Sequence, residues 1–125
     1  MLNMKPSNLA LILASILFTI TACNDTPQKK VTYKSSGAIS DYTLQYRNDQ
    51  QELVKITVEP ESAADSWKYE YMADEGEIVY VSGNYKDINS ALLIQVLVDG
   101  KVYKQGSTKA DTIKYLTVSG VVPYD

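Results

Sequence analysis

Beyond Val31 the chain alternates apolar and polar residues with a period of two, the spacing that sends successive side chains to opposite faces of a β-strand. Val31 and Tyr33 open a first strand that ends near Ser35-Ser36-Gly37. Tyr42, Leu44 and Tyr46 alternate with Thr43, Gln45 and Arg47 until Asn48-Asp49. Val54, Ile56 and Val58 alternate with Lys55 and Thr57 until Pro60, which lacks the N–H that a ladder needs. These two stretches predict a hairpin, and Glu61 to Asp65 a loop leaving it. Trp67, Tyr69 and Tyr71 then share one face, with Lys68 and Glu70 on the other. Asp74-Glu75-Gly76-Glu77 reads as a turn, from which Ile78 to Val81 returns as a strand toward Gly83. Ala91 to Val98 is the most apolar run in this part of the chain and predicts a central strand. Asp99-Gly100 follows at once, the dipeptide of a type I′ turn, so Lys101 to Lys104 must run back antiparallel. Gly106 to Asp111 reads as a further turn, and Ile113, Tyr115 and Thr117 begin a last strand before Pro123.

Seven or eight short strands with turn signals at close intervals predict an all-β fold, an antiparallel immunoglobulin-like β-sandwich, with a small closed barrel as the alternative. No amphipathic helical stretch of ten residues interrupts the pattern.

The N-terminal segment follows another rule. Lys5 precedes an apolar run of twelve residues, Leu9 to Ile20, too short for a bilayer span of about 20 residues and matched to a signal peptide. Its end, Ile20-Thr21-Ala22-Cys23, resembles the lipobox of bacterial lipoproteins. The resemblance implies cleavage before Cys23 and acylation of that cysteine, a multi-chain anchor of the kind that stable attachment requires. The expected organisation is a signal peptide at 1–22, a lipidated N-terminus and tether at 23–30, and a β-sandwich domain at 31–125. Asn24 to Lys30 carries no apolar residue to bury, and its seven residues reach roughly 25 Å when extended. Asn24 stands where enterobacterial sorting rules place Asp for inner-membrane retention, so delivery to an outer membrane is expected in a host that has one.

Composition narrows the function. Removal of residues 1–22 from 125 leaves 103, with eleven basic against fifteen acidic side chains, a net charge of −4. Such a domain has no clustered cations for phosphate, so no nucleic-acid partner is expected. Lys29-Lys30 is a basic pair that either solvates the tether or touches anionic headgroups. Cys23 is the only cysteine, so the folded domain has no disulfide and relies on packing. There is no histidine, which removes the commonest general base and the commonest transition-metal ligand. The chain is therefore expected to be non-catalytic, with no metal and no cofactor, and Cys23, the lipidation site, is its one position-specific assignment.

Several groups have both a structural and a chemical reading. Trp67, Tyr69 and Tyr71 are read as the inward face of a strand with Trp67 at the centre of the core; the alternative is an aromatic platform for sugars or lipid headgroups. Ten tyrosines in one small chain leave some for the surface, where an apolar ring with a hydroxyl suits binding. Asp74, Glu75 and Glu77 lack the spacing of a calcium loop and read as a solvated turn. No carboxylate pair is nominated for glycoside hydrolysis. Asp111-Thr112-Ile113 resembles the short O-glycosylation acceptor of Bacteroidetes proteins, although a plain turn explains it too.

Val31-Thr32-Tyr33 followed by Gly37, the strand end Tyr46-Arg47-Asn48, Trp67, and above all Val96-Leu97-Val98-Asp99-Gly100-Lys101-Val102 together resemble the MmpS-type transport accessory proteins. The resemblance covers most of the mature domain. It implies a β-sandwich that assists an efflux transporter of the resistance-nodulation-division class. Two departures stand out: this chain has a lipobox where the mycobacterial proteins have a transmembrane helix, and Ile94 and Val118 occupy the positions of a cysteine pair that many of them carry. The expected function is a membrane-anchored lipoprotein that docks an envelope partner, possible transporter included. The alternative is a ligand-binding or adhesive module recognising glycan or lipid. No motif specifies an oligomeric state.

Overall fold

The computed structural model describes residues 26–108 and 114–125. Over these the chain forms eight strands: β1 Gln28–Ser36, β2 Tyr42–Arg47, β3 Leu53–Val58, β4 Ser66–Asp74, β5 Ile78–Tyr85, β6 Leu92–Val98, β7 Lys101–Thr108 and β8 Tyr115–Val121. They make two four-stranded antiparallel sheets, ordered β4-β1-β6-β7 (sheet 1) and β3-β2-β5-β8 (sheet 2). The molecule is the expected all-β sandwich rather than a closed barrel. The signal peptide, Cys23, the Asp111-Thr112-Ile113 motif and the residue Ile113 fall outside the described residues.

The predicted hairpins form as written. Tyr42 to Arg47 pairs with Val58 to Leu53, and Val98 pairs with Lys101 across Asp99-Gly100. Asp99 at φ 52° and Gly100 at φ 82° supply the two positive-φ positions of the turn. β6 is central in its sheet, between β1 and β7. The turn at 74–77, in contrast, carries the chain from sheet 1 to sheet 2.

Four expectations change. β1 begins at Gln28, so three residues assigned to the tether pair with β4, Gln28 opposite Asp74 and Lys30 opposite Met72. Their side chains are polar because this end of the strand meets the acidic turn rather than the core. β5 runs through Gly83 to Tyr85, pairing with β2 up to Tyr42. β7 runs through Gly106 to Thr108, where a turn was expected; an edge strand with one face in solvent needs few apolar residues. In β8 the inward residues are Leu116 and Val118, while Tyr115 and Thr117 point outward, because the register sets Val118 against Val81.

The core gathers Val31, Tyr33, Leu44, Val79, Val81, Ile94 and Val96 from both sheets. Ile94 and Val118 are both buried in it, on β6 and β8 in opposite sheets. Tyrosine hydroxyls tie the sheets together. Tyr33 on β1 donates to the Arg47 carbonyl at the end of β2 (2.8 Å) and accepts from the Tyr80 amide on β5 (3.3 Å). Ser35 Oγ and Tyr42 Oη are 2.7 Å apart, as are Tyr85 Oη and Thr108 Oγ1. Tyr103 donates to the Val121 carbonyl at 2.8 Å.

The sandwich has two unlike ends. The proximal end holds the start of β1, the hairpin turns 48–52 and 99–100, the crossing 75–77 and the C-terminus; crossings 37–41, 59–65 and 86–91 form the distal end. Lys29 does not solvate a tether. Its ammonium lies 2.6 Å from Asp125 and 3.6 Å from Glu75 and donates to the Pro123 carbonyl, with only 11% of the side chain exposed. It binds the C-terminus to the acidic turn.

Gly83 lies under the core. A Cβ there would collide with Leu92 and stand 3.1 Å from Ile94 Cδ1 and 3.2 Å from Leu44 Cδ2. Gly83→Ala is expected to lower unfolding free energy by about 1–3 kcal/mol through overpacking, read by urea denaturation. Gly100→Ala meets nothing within 4 Å, so its loss, on the order of 1–2 kcal/mol, comes from the left-handed backbone alone.

Candidate functional site: a distal recess and an aromatic seam

At the distal end the crossing from β1 to β2 and the crossing from β5 to β6 are laced together. Ile39 N–H donates to Ser90 Oγ (3.1 Å), Ser40 Oγ donates to Asp87 Oδ2 (3.2 Å), and Asn89 N–H donates to Asp87 Oδ1 (2.9 Å). The two loops stand above the outer face of sheet 2, where Thr57, Thr43 and Asn84 form one cross-strand row. With Pro60 they enclose an open recess of about 580 Å³. Its floor is the Thr row, and its walls are Ile39, Asp41 and Lys86. Asp87 is committed to the loops. Asp41, Lys86 and the Asn84 amide make no hydrogen bond or ion pair with any described residue, so they face whatever enters. Ile39, which lines the recess, is 51% exposed, and Ile88 on the facing loop is 59% exposed, so this end also presents apolar surface.

The second feature is lateral. β3 and β4 are edge strands of different sheets and do not pair with one another. Their inward residues, Val54, Ile56 and Val58 on one side and Trp67 and Tyr69 on the other, are only half-buried against the core. Five rings fill this side: Tyr46 lies 5.1 Å from Trp67 and 4.8 Å from Tyr69, and Tyr33 lies 6.2 Å from Tyr69 and 5.7 Å from Tyr71. The inward orientation expected for Trp67, Tyr69 and Tyr71 is present, but the central position is not Trp67's. β4 is an edge, and its first half lies beside the surface loop 59–65, so Trp67 and Tyr69 sit at the mouth of the seam and Tyr71 alone of the three is buried. The fully buried central aromatic is Tyr33. At the distal mouth Trp67, Tyr42, Val58 and Pro60 line a smaller hollow of about 220 Å³. At the proximal mouth Tyr69 donates to Asp49 Oδ1 (3.1 Å) and accepts from the Asp49 amide (3.2 Å).

The acidic turn disperses its carboxylates. Asp74 accepts from Gln28, Glu75 meets Lys29 and the Asp125 amide, and Glu77 accepts from Gln51. Among the described residues no group of three or more carboxylates, cysteines or histidines is placed to hold a metal. Of the ten tyrosines, Tyr115 and Tyr124 are the exposed ones, at 70% and 72%.

Neither recess could be read from the sequence, because their linings come from loops far apart in the chain. The only local signals were the polar outward residues Thr43, Thr57 and Asn84 on otherwise apolar strands. Inside the seam, burial raises the ionisation of Tyr33 and Tyr71 above the ordinary phenol value of 10.0. Tyr33 has spent its proton on the Arg47 carbonyl, so Tyr71 donates to it across 3.0 Å; that bond raises Tyr71 further. Burial raises Tyr42 and Tyr69 as well.

A phenol that ionises later in the folded than in the unfolded state contributes stability that is complete below the unfolded value and is lost as pH rises past it. The thermal midpoint is therefore expected to fall as pH rises beyond about 10. Tyr33 and Tyr71 are expected to contribute tyrosinate absorbance only with unfolding, and their ionisation in the folded protein would contradict the buried network.

No protein-family model matches the chain, and comparison with curated proteins gives no match. The functional reading therefore stands on the geometry above.

Proposed function

We propose that this chain is a non-catalytic lipoprotein of the bacterial cell envelope, anchored through Cys23, that docks a partner with the distal end of its sandwich. The observation that carries the reading is the polarity of the domain. β1 starts five positions after Cys23, and the recess lies past the far end of that nine-residue strand, roughly 30 Å away at about 3.3 Å per residue. A lipid on Cys23 holds the proximal end near the headgroups and leaves the distal loops for a neighbouring envelope component. The recess mixes Pro60 and the exposed Ile39 with Asp41, Lys86 and Asn84, and apolar surface set among polar groups suits a protein contact. The resemblance described above makes a resistance-nodulation-division transporter the expected partner, and Asn24 directs the lipoprotein to an outer membrane where the host has one.

A second reading has its own support. A volume of about 580 Å³ falls within the roughly 300–1,000 Å³ of small-molecule sites. Asp41, Thr57 and Asn84 offer it a carboxylate, a hydroxyl and an amide, which suit a glycan or a lipid headgroup.

Cys23→Ala is expected to abolish fatty-acid labelling and release the protein from the membrane fraction; retained labelling would overturn the anchor. In cells, a photo-crosslinking residue at Ile88 or Thr57 is expected to give adducts with one envelope protein, and one at Lys101 to give none. Adducts from Lys101 alone would overturn distal docking, and glycan or lipid adducts at Thr57 would favour the second reading.

A further inference from the structure

Four strands are sheet edges, and three of them are blunted. β7 carries a bulge between Val96 and Leu97 in its pairing with β6. β8 has its Val121 carbonyl taken by Tyr103. β3 is short, six residues long. β4 differs: it is nine residues long, pairs with β1 in an unbroken register from Ser66 to Asp74, and contains no proline, no glycine and no bulge. Among the described residues no strand pairs with its other side. A long, straight edge with open N–H and C=O groups is a template for another strand.

The side chains of β4 favour one such strand. Antiparallel pairing of β4 with itself, centred on Tyr69, sets Lys68 of each copy opposite Glu70 of the other on the outer face, and Trp67 opposite Tyr71 on the inner face. Centring on Glu70 would instead oppose two glutamates. Within one copy Lys68 faces Lys34 across the β1–β4 ladder, a like-charge pair that disfavours the free edge, and it makes no ion pair with any described residue. Glu70 is half-exposed and has Lys30 at 3.8 Å, leaving its carboxylate open to a second cation. The half-buried Trp67 and Tyr69 would also be covered from the open side of the seam.

We infer that the β4 edge is a homodimer interface, in which two copies of this chain join through antiparallel β4 strands into one continuous eight-stranded sheet. The contact is isologous, so it closes at two copies. Its two-fold axis stands normal to the sheet. Both copies therefore turn the outer face of sheet 1 to the same side and the outer face of sheet 2, with its recess, to the other.

The test uses the full chain extracted from membranes in detergent, with mass and association measured by sedimentation and native mass spectrometry. Dimers are expected for the natural sequence. Lys68→Glu and Glu70→Lys, each of which opposes like charges twice across the axis, are expected to weaken association at least tenfold. The double variant, which restores both pairs with signs exchanged, should recover dimers. Thermal midpoints close to that of the natural protein confirm that the variants fold. A monomeric natural protein, single variants that dimerise normally, or a double variant that remains monomeric would overturn the β4 interface.

Discussion

The Tyr33 hydroxyl holds this sandwich in register. It sits on β1, the strand that pairs with both β4 and β6, and reaches out of sheet 1 to the backbone of two strands in sheet 2. The hydrogen bonds themselves are modest, about 1 kcal/mol net apiece. Their weight comes from what is lost without them: a buried carbonyl and a buried hydroxyl would be left unpaired in an apolar interior, at about 1–3 kcal/mol each. With no disulfide available to the folded domain, face-to-face packing alone would leave the sheets free to slide. Tyr42, Tyr85 and Tyr103 repeat the device at other points. The abundance of tyrosine thus has its first explanation in the interior, with two exposed rings left for the surface.

Fixed sheets give the connections fixed positions. Only β2–β3 and β6–β7 are hairpins, and the other connections cross between sheets, three of them at the described distal end. The three distal crossings run from five to seven residues and stand clear of the sandwich, whereas the proximal crossing 75–77 has three residues and the turn 99–100 two. The distal end consequently has walls, and a recess forms between them; the proximal end has tight turns, the Lys29 ion pairs and the C-terminus packed down on Gly76 through its hydrogen bond with Val122. The stretch expected to act as a tether is also shorter than residues 23–30. With Gln28 already in β1, residues 24–27 alone separate Cys23 from the sheet, a reach of roughly 14 Å.

How far the sequence could be read depended on whether the informative contacts were local. Alternation identified β1 to β4, a turn signal β5, an apolar run β6, and Asp99-Gly100 the turn after it, because period and turn type are encoded within a few residues. Gln28 to Lys30 escaped because their strand partners are Asp74, Ala73 and Met72, more than forty positions away, and nothing polar in a run of lysines announces a ladder. Gln105 to Ser107 escaped because Gly106 reads locally as a turn, although they pair with Gln95 to Leu93 in the ladder of β6. The face of β8 was misread because Tyr115 has an apolar ring, yet the register with β5 assigns burial to Leu116 and Val118. Trp67 was given the central place by size, while position in the sheet gave it to Tyr33: β1 is flanked on both sides and β4 on one.

That last distinction separates stability from function in this fold. The β7–β8 side is closed by close approach, with the place of a Gly120 Cβ only 3.3 Å from the Tyr103 ring, and the Tyr103 hydroxyl seals it. The β3–β4 side is closed by rings whose outer edges remain wet and by a single loop carboxylate, Asp49, on Tyr69. Local opening follows the weaker closure, since regions with fewer buried apolar contacts open at lower free energy. A sandwich that must give way somewhere gives way between β3 and β4, where the aromatic surface lies and where an unpaired edge is waiting. The recess rests on β2 and β5, the two strands of sheet 2 flanked on both sides, and on Thr57 of the edge strand β3. β2 and β3 thus serve both surfaces, with Thr43 and Thr57 outward in the recess and Tyr46 and Val58 inward in the seam.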